Sequence, residues 1–381
     1  MINLADRLQT VEEYYFSKKL REVALLKAQG RPIINLGIGS PDLQPPERVL
    51  NALVETFENP LVHKYQSYQG IPELREAIAE FYRANFDVPL SPITNVLPLM
   101  GSKEGILHIS MAFLNASDKA LIPNPGYPTY TSVTKLVGAE PVFYDLTEEN
   151  AWLPDLIALE KQDLSKVKLM WINYPHMPTG AVATNKMFSN LIAFARRNKI
   201  LLINDNPYSF ILNTFPRSIL RYRGAKDVCL ELNSLSKTFN MAGWRVGMVL
   251  GKHEFINAIL KVKSNMDSGM FLGIQKGAVE ALKCSKVWLE SLNSVYRERR
   301  ELVWKIAKKL NCTFDENATG MFVWAKLPDY IDGEDYIDLI LKEKSVFIAP
   351  GTIFGSNGKG YIRISLCADI DDLEEALARF K

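Results

Sequence analysis

The chain has 381 residues and a formal net charge of +2 at pH 7, and 47% of its residues are hydrophobic. This composition excludes an intrinsically disordered chain, and so small a charge gives no support for nucleic-acid binding. The length favours two domains over one. No apolar run is long enough to cross a bilayer, and residues 1–19 lack the apolar core of a signal peptide. We therefore expect neither a membrane span nor a nucleic-acid partner.

The cysteines and histidines are few and show no regular spacing. Cys229, Cys284, Cys312 and Cys367 form no CxxC pair. Scattered cysteines of this kind predict reduced thiols in a cytoplasmic protein. The four histidines show no metal-ligand spacing, so we predict no metal site.

Taken in chain order, the predicted elements alternate between short apolar runs and amphipathic stretches. The apolar runs lie at 119–123, 168–172 and 200–203, and amphipathic stretches lie at 104–114 and 187–197. This alternation is typical of an α/β protein with a mostly parallel sheet between helices. After residue 275 the pattern changes to a long helix over 287–310, followed by strands over 321–325 and 360–365. The change predicts a second, smaller α+β domain.

The segment after one predicted strand carries two hydroxyls, a lysine and an arginine within twelve residues, at Ser234, Ser236, Lys237 and Arg245. Hydroxyls and a guanidinium bind a phosphate monoester, and a lysine beside them can form an imine with a carbonyl. A phosphorylated aldehyde that uses a lysine in this way is pyridoxal phosphate. We therefore predict a site for this cofactor.

Pyridoxal phosphate also needs an acidic partner for its ring nitrogen, and such partners lie at the carboxyl ends of buried strands. Asp205 ends the apolar run at 200–203, and Tyr208 follows it and can bond the phenolic oxygen of the cofactor. The alternative is that Asp205 only caps a turn before Pro207. The lysine and arginine downstream favour the cofactor role.

Two further features remain open on local pattern alone. Gly101, Ser102 and Lys103 precede the amphipathic stretch 104–114, and they read either as a phosphate site at a helix N-terminus or as an ordinary N-cap. Arg363 is flanked by apolar residues, so we expect an anionic partner, which is either a structural carboxylate or the carboxylate of a substrate.

Taken together, these motifs resemble the class I/II aminotransferases of the aspartate aminotransferase fold type. The resemblance runs from about residue 30 to the C-terminus. It is carried by the order and spacing of the segments 36–42, 65–70, 73–78, 101–104, 123–127, 175–180, 205–208, 233–239, 243–247 and 361–365.

The resemblance implies a fold, a cofactor and an assembly. The expected fold is a large domain over 45–275 with a mostly parallel seven-stranded sheet, and a small domain built from 1–44 together with 276–381. The expected assembly is a homodimer with shared active sites, in which Tyr65 reaches the phosphate of the neighbouring subunit. The residues that the family pattern assigns to pyridoxal phosphate are Ser102, Lys103, Tyr127 (stacked on the ring), Asp205, Tyr208, Ser234, Ser236, Lys237, Arg245 and Tyr65.

The implied reaction moves the amino group of an L-amino acid to a 2-oxo acid in a ping-pong sequence. The 2-oxo acid expected from the family is 2-oxoglutarate. Lys237 would carry the proton in the key step, with Asp205 and Tyr208 as its catalytic partners. Arg363, helped by the backbone at Gly39, would hold the substrate carboxylate. Asn265 would line the substrate pocket, as would Tyr14 or Tyr15 unless these tyrosines anchor the N-terminal arm. A β-lyase acting on C–S bonds and a catalytically impaired cofactor-binding protein are the alternatives.

Met177 departs from the family pattern. Where this chain has Met177-Pro178-Thr179-Gly180, the family has asparagine at the first position. Methionine is a weak acceptor and no donor, so either activity survives with looser carboxylate binding or the chemistry is changed. His176 could supply a replacement donor or be a packed loop residue. The corresponding bond before proline is often cis in the family, and a cis Met177–Pro178 bond would direct this loop toward the cofactor ring.

Overall fold

The structure is a computed structural model that describes residues 2–380, so the end residues of the predicted small domain, Met1 and Lys381, lie outside it. The strands are β1 Ile34–Asn35, β2 Val96–Leu99, β3 Lys119–Asn124, β4 Glu140–Asp145, β5 Val167–Ile172, β6 Leu201–Asp205, β7 Cys229–Ser234, β8 Gly247–Gly251, β9 Thr313–Phe314, β10 Phe322–Lys326, β11 Val346–Phe347, β12 Ala349–Pro350 and β13 Tyr361–Ser365. The helices are α1 Tyr15–Ala28, α2 Glu47–Glu55, α3 Pro72–Phe86, α4 Ser102–Phe113, α5 Pro128–Leu136, α6 Leu156–Glu160, α7 Asn185–Asn198, α8 Ala225–Val228, α9 Leu235–Thr238, α10 His253–Lys263, α11 Leu272–Leu282, α12 Lys286–Lys309, α13 Gly333–Lys344 and α14 Ile370–Arg379.

A seven-stranded sheet with the order β2-β8-β7-β6-β5-β3-β4 forms the centre of the molecule. Its strands run parallel except β8, which is antiparallel to both of its neighbours. The predicted α/β class with a mostly parallel sheet is therefore confirmed. Because β2, β3, β5, β6 and β7 all point the same way, their carboxyl ends meet at one edge, where ligands bind in such sheets.

The large sheet is covered on both faces, as continuous apolar strands require. Alternate residues of β5 enter different cores: Met170 and Ile172 pack in one, and Leu169 and Trp171 pack in the other. Helices on each face supply the opposing side chains. Thr184, for example, caps α7 through a bond from the Met187 amide to its side-chain oxygen, and the apolar side of α7 then packs against one face. This packing fixes the sheet edge on which the site is built.

A third core lies around the four-stranded antiparallel sheet β12-β13-β10-β9. It combines the N-terminal segment 16–36 with side chains from 292–380, and β1 pairs in parallel with β11 to join the two parts. The predicted boundary after residue 275, however, falls inside α11, whose apolar side packs on the large-sheet core. Because α12 leaves that core near Leu289 and enters the third core at Leu292, we propose the division within α12.

Two further sequence predictions concern the helices and the cysteines. Within residues 2–380, every helix is too short or too polar to cross a lipid bilayer. The four cysteines are free thiols, two of them buried.

Candidate active site

The carboxyl edge of the large sheet meets the small sheet at a cavity of about 490 Å³. Eleven of the predicted site residues line it: Gly39, Ser102, Lys103, Tyr127, Asp205, Tyr208, Ser234, Ser236, Lys237, Arg245 and Arg363. They come from the loops after β1 and β3, from the start of α4 after β2, from the ends of β6 and β7 and the segments that follow them, from the turn before β8, and from β13 itself. The parallel topology therefore explains why residues far apart in the chain meet here.

Lys237 lies on the one-turn helix α9 directly after β7. Its Nζ donates a hydrogen bond to the carbonyl oxygen of Gly39 at 2.5 Å. Burial, together with the nearby guanidinium groups of Arg363 and Arg245, lowers the pKa of this amine to about 8. The neutral amine, the form that attacks a carbonyl, is therefore far more populated near neutral pH than it is for an ordinary lysine.

Asp205 is the last residue of β6 and is buried. Its Oδ2 accepts a hydrogen bond from the Tyr130 hydroxyl at 2.8 Å, whereas its buried Oδ1 has no hydrogen-bond partner among the described residues. Burial raises the pKa of this carboxyl to about 7. A buried oxygen without a partner is costly, so Oδ1 is suited to a ligand donor that arrives with its own proton.

The N-terminus of α4 and the turn before β8 form a cradle. Gly101 precedes α4 with φ of 90° and packs against the Arg245 guanidinium, so a Cβ at this glycine would overlap that side chain. Arg245, at φ of 56°, donates from Nη1 to the carbonyl of Ala242 at 2.9 Å. Backbone amides at a helix start, serine hydroxyls and a guanidinium together suit a phosphate group.

Lys103 adds a second cation to this end of the cavity. Its Nζ lies 4.3 Å from the centre of the Tyr14 ring. Partial burial and the neighbouring Arg245 lower the pKa of Lys103. Tyr14 lines the cavity and Tyr15 does not, so the structure decides between the two tyrosines.

Arg363 is a buried cation in an aromatic box. Its guanidinium carbon lies 4.0 Å from the ring centre of Phe322, 4.6 Å from that of Phe354 and 5.2 Å from that of Phe16. Nη2 donates to the Gly37 carbonyl at 2.7 Å, and Nε has no partner in the described part of the chain. Burial lowers its pKa to about 10.

No carboxylate of residues 2–380 pairs with Arg363. A buried guanidinium without an acid is strongly unfavourable unless an anion binds to it. Of the two interpretations left open by the sequence, the structural salt bridge is therefore wrong.

Met177 lies against this arginine. It is buried, and its Sδ is 3.3 Å from the Arg363 Nη1, so a weak thioether acceptor stands where the family has an amide. The Met177 amide donates to Asn173 Oδ1 at 2.8 Å, and the Met177–Pro178 bond is cis. His176 does not replace the missing amide, because its Nδ1 is 2.8 Å from the Thr179 hydroxyl and its ring does not line the cavity.

Two predicted site residues do not reach the cavity of their own chain. Tyr65 is 89% exposed. Asn265 is also on the surface, where its Nδ2 donates to the Lys261 carbonyl at 2.8 Å. Asn265 does not line the cavity of its own chain, because the turn after α10 leads it away, and its role in substrate binding stays a prediction. The two loops are neighbours, since the Gly269 backbone packs against that of Gln66.

Asn173 also lines the cavity, directly after β5, as the rule for the carboxyl ends of parallel strands indicates. Several other lining residues were not predicted from sequence: Phe16, Phe322, Phe354 and Tyr130. Only Tyr130 had a usable signal, because it follows Tyr127 by three residues in a helical first turn and such residues share a face. The aromatic box had no signal, since its three rings come from α1, β10 and the segment after β12.

Three possible metal ligands, Glu104, His108 and Asp267, lie outside this cavity with their ligand atoms within 4.8 Å of one another. The sequence analysis predicted no such grouping, since Asp267 is far from the other two in the chain. The Lys263 ammonium already binds Asp267 at 2.8 Å, and His108 Nε2 lies 3.2 Å from Glu104. The Lys263 ammonium therefore supplies the positive charge that a metal ion would otherwise bring to this buried cluster.

The residues of the cavity fit pyridoxal 5′-phosphate. Lys237 offers an amine to the aldehyde, the cradle at Gly101 and Arg245 suits the phosphate, and the free Oδ1 of Asp205 suits a protonated ring nitrogen. The fit depends on two features. Asp205 Oδ1 is buried without a hydrogen-bond partner among the described residues, and position 101 in the phosphate cradle has room only for glycine.

Comparison with known proteins agrees with this geometry. The model of the family described as aminotransferase class I and II matches residues 31–380. An LL-diaminopimelate aminotransferase of Maridesulfovibrio salexigens is 40% identical over 379 residues, which cover 99% of this chain and 98% of that protein.

Solved structures show the same relationship. The substrate-bound structure of BacF from Bacillus subtilis has a TM-score of 0.95 and 37% identity, covering 100% of this chain and 97% of that one. The aspartate aminotransferase of Thermus thermophilus with maleate has a TM-score of 0.93 and 26% identity, covering 100% of this chain and 99% of that one. The chain therefore belongs to the class I and II aminotransferases, which are transaminases that use pyridoxal 5′-phosphate.

Proposed function

We propose that this aminotransferase takes the amino group of an L-amino acid and gives it to 2-oxoglutarate in a ping-pong reaction. The observation that carries the proposal is the buried Arg363 guanidinium, which lacks an acid partner and lines the same cavity as Lys237. A planar guanidinium binds an α-carboxylate through two parallel hydrogen bonds. Both an amino acid and a 2-oxo acid present such a carboxylate, so one arginine serves both halves of the reaction.

Bound pyridoxal phosphate supplies the electron sink that makes the Cα proton of an amino acid acidic. The chain supplies the rest. Asp205 keeps its ionised oxygen for the ring nitrogen, Arg363 fixes the carboxylate, and Lys237 is the base that moves the proton from Cα. A lysine pKa of about 8 suits this role, because the amine both accepts and returns a proton near neutral pH.

LL-diaminopimelate is the first donor to test, because the curated relatives at 38–40% identity are LL-diaminopimelate aminotransferases. This donor carries a second amino-acid group at its far end. Among the residues that line the cavity, Asp205 is the acidic side chain, and it lies at the ring end. We propose that the neighbouring subunit supplies the contacts for the distal group.

A donor with an aromatic or apolar side chain is the second candidate. Tyr14, Phe16, Leu20 and Phe354 all line the cavity, with Phe16 and Phe354 beside Arg363, and such a wall favours an uncharged side chain. The comparisons give no support to a β-lyase or to a catalytically impaired protein.

We propose a homodimer whose subunits complete each other's sites. The surface around Tyr65 is apolar for a surface: Phe57, Leu61 and Met266 are each more than half exposed, and Tyr68 is 44% exposed. Exposed apolar groups in one region mark interfaces in soluble proteins. The four free thiols support a cytoplasmic location for the enzyme.

The proposal is tested by incubating the holoenzyme with 2-oxoglutarate and one donor at a time: LL-diaminopimelate, L-phenylalanine, L-aspartate or L-alanine. We expect glutamate to form only when both substrates are present, with the highest kcat/KM for LL-diaminopimelate. A higher kcat/KM for L-phenylalanine would favour the second candidate. No glutamate from any donor would overturn the aminotransferase proposal for these substrates, as would release of pyruvate, ammonia and a thiol from L-cystathionine, a C–S substrate, without an acceptor.

A further inference from the structure

Tyr130 is a buried tyrosine whose side-chain hydroxyl is directed at Asp205. It lies on α5, three residues after Tyr127, and is 0% exposed. Its hydroxyl donates to Asp205 Oδ2 at 2.8 Å, which leaves Oδ1 free for the cofactor. A hydrogen bond to an ionised, buried carboxylate is worth more than one between neutral groups.

Two aromatic contacts hold the Tyr130 ring in place. It stacks on Trp171 of β5 with ring centres 4.9 Å apart and planes at 7° to each other. Its edge contacts Tyr127 at 5.6 Å and 85°. Trp171 is fully buried in the sheet core, so the ring has a rigid support on one side. The same ring therefore touches the residue that faces the ring nitrogen and the residue predicted to stack on the pyridine.

We propose that Tyr130 is a positioning residue that keeps Asp205 ionised against the ring nitrogen of the cofactor and sets the plane of Tyr127. Without the phenol, the buried carboxylate would lose its protein donor, and desolvation would favour its neutral form. A neutral acid is a poorer partner for a protonated ring nitrogen. Tyr127 and Tyr208 also face this region, but burial raises the pKa of both phenols, so they are uncharged at neutral pH.

This inference goes beyond the proposed function, since it holds for any amino donor, and its test needs no substrate. The test compares the affinity of the apoenzyme for pyridoxal phosphate and for its 1-deaza analogue, in which a C–H group replaces the ring nitrogen. Both should bind Lys237 and the phosphate cradle equally. The ratio of the analogue's dissociation constant to that of pyridoxal phosphate therefore isolates the contact between Asp205 and the ring nitrogen.

We expect Tyr130→Phe to reduce this ratio by about tenfold, because the carboxyl becomes easier to protonate and the nitrogen less favoured. Tyr144→Phe is the matched control. Its hydroxyl is also buried and donates at 2.7 Å, but to the Trp171 carbonyl and not to Asp205. The control variant should leave the ratio unchanged.

Two results would overturn the proposal. If Tyr130→Phe weakens both ligands equally and keeps the ratio, the residue only supports packing. If Tyr144→Phe lowers the ratio by the same factor, the effect is not specific to Asp205. Should Tyr130→Phe fail to fold, 3-fluorotyrosine at position 130 keeps the shape and strengthens the donor. The ratio should then rise, and an unchanged ratio would again contradict the proposal.

Discussion

The cavity has a cofactor half and a carboxylate half, and the two are built differently. The cofactor half presents polar groups to the ligand: the amides at the start of α4, the free Oδ1 of Asp205 and the amine of Lys237. The carboxylate half holds one guanidinium, that of Arg363, among phenylalanines and a methionine. The departure from the family pattern, Met177, lies in the carboxylate half. Binding of the cofactor and binding of the substrate should therefore respond separately to mutation.

The largest effect is expected at Lys237, which serves both halves. Lys237→Ala removes the amine that holds the aldehyde and moves the proton, so we expect turnover to fall on the order of 10⁴-fold or more. Rates of glutamate formation check this. The cofactor should still bind through its phosphate, and an active Lys237→Ala variant would contradict the assignment.

Removing the guanidinium of the carboxylate half should damage substrate use alone. In Arg363→Leu we expect kcat/KM to fall by about 10³-fold, since a buried charge pair with the substrate is lost. Affinity for pyridoxal phosphate should change by less than about twofold. The control is Arg300→Leu, because Arg300 is half-buried and lies outside the cavity. An equal loss of cofactor affinity in Arg363→Leu would break the division into two halves.

The complementary experiment alters a residue of the cofactor half. Arg245→Leu removes one donor from the phosphate cradle, so the Kd for pyridoxal phosphate should rise by about 100-fold. Equilibrium dialysis of the apoenzyme gives this value. At saturating cofactor the KM for the amino acid should return to that of the unaltered enzyme. A raised KM under those conditions would show that the halves are coupled.

A smaller effect is expected when the missing amide is restored. Met177→Asn offers Arg363 and the substrate carboxylate a full acceptor and donor in place of a thioether, so KM for the amino acid should fall by about tenfold. Met177→Leu is the control, since it keeps the apolar volume without the sulfur. Steady-state kinetics with both variants measures KM. An unchanged KM in both would show that Met177 does not influence carboxylate binding.

The smallest effect is a displaced pH dependence. Burial and two nearby arginines lower the pKa of Lys237 from 10.5 to about 8. Because only the neutral amine captures an aldehyde, uptake of pyridoxal phosphate by the apoenzyme should rise with pH and level off above about 8. Stopped-flow measurement of uptake checks the midpoint. For a lysine with an ordinary pKa, the rate would still rise between about pH 9 and 10. Such a rise would contradict the argument that burial lowers the pKa of Lys237.

Strands β3, β5, β6, β10 and β13 and the residues at the sheet edge could be predicted from sequence because each depends on local pattern. The apolar run at 200–203 ends in Asp205, and a parallel sheet places such ends together. The helix predicted over 287–310 is observed over Lys286–Lys309 for the same reason. These predictions needed periodicity and chain order alone.

The carboxylate half could not be predicted in the same way. Its phenylalanines come from segments more than 300 residues apart, from Phe16 to Phe322 and Phe354, and nothing local distinguishes them from ordinary core residues. The position of Asn265 was also out of reach, because it depends on where the chain turns after α10. The division proposed within α12 was out of reach for a related reason, since α11 looks like a generic amphipathic helix until its packing on the large sheet is known.

The most direct test of the account is a half-reaction without an acceptor. The holoenzyme is mixed with an excess of the best amino donor, and the 2-oxo acid is counted by mass spectrometry. The account predicts about one equivalent of 2-oxo acid per subunit for the unaltered enzyme and almost none for Arg363→Leu over the same time, because that arginine holds the donor. Continued release of product beyond one equivalent without an acceptor, or equal yields from both proteins, would contradict it.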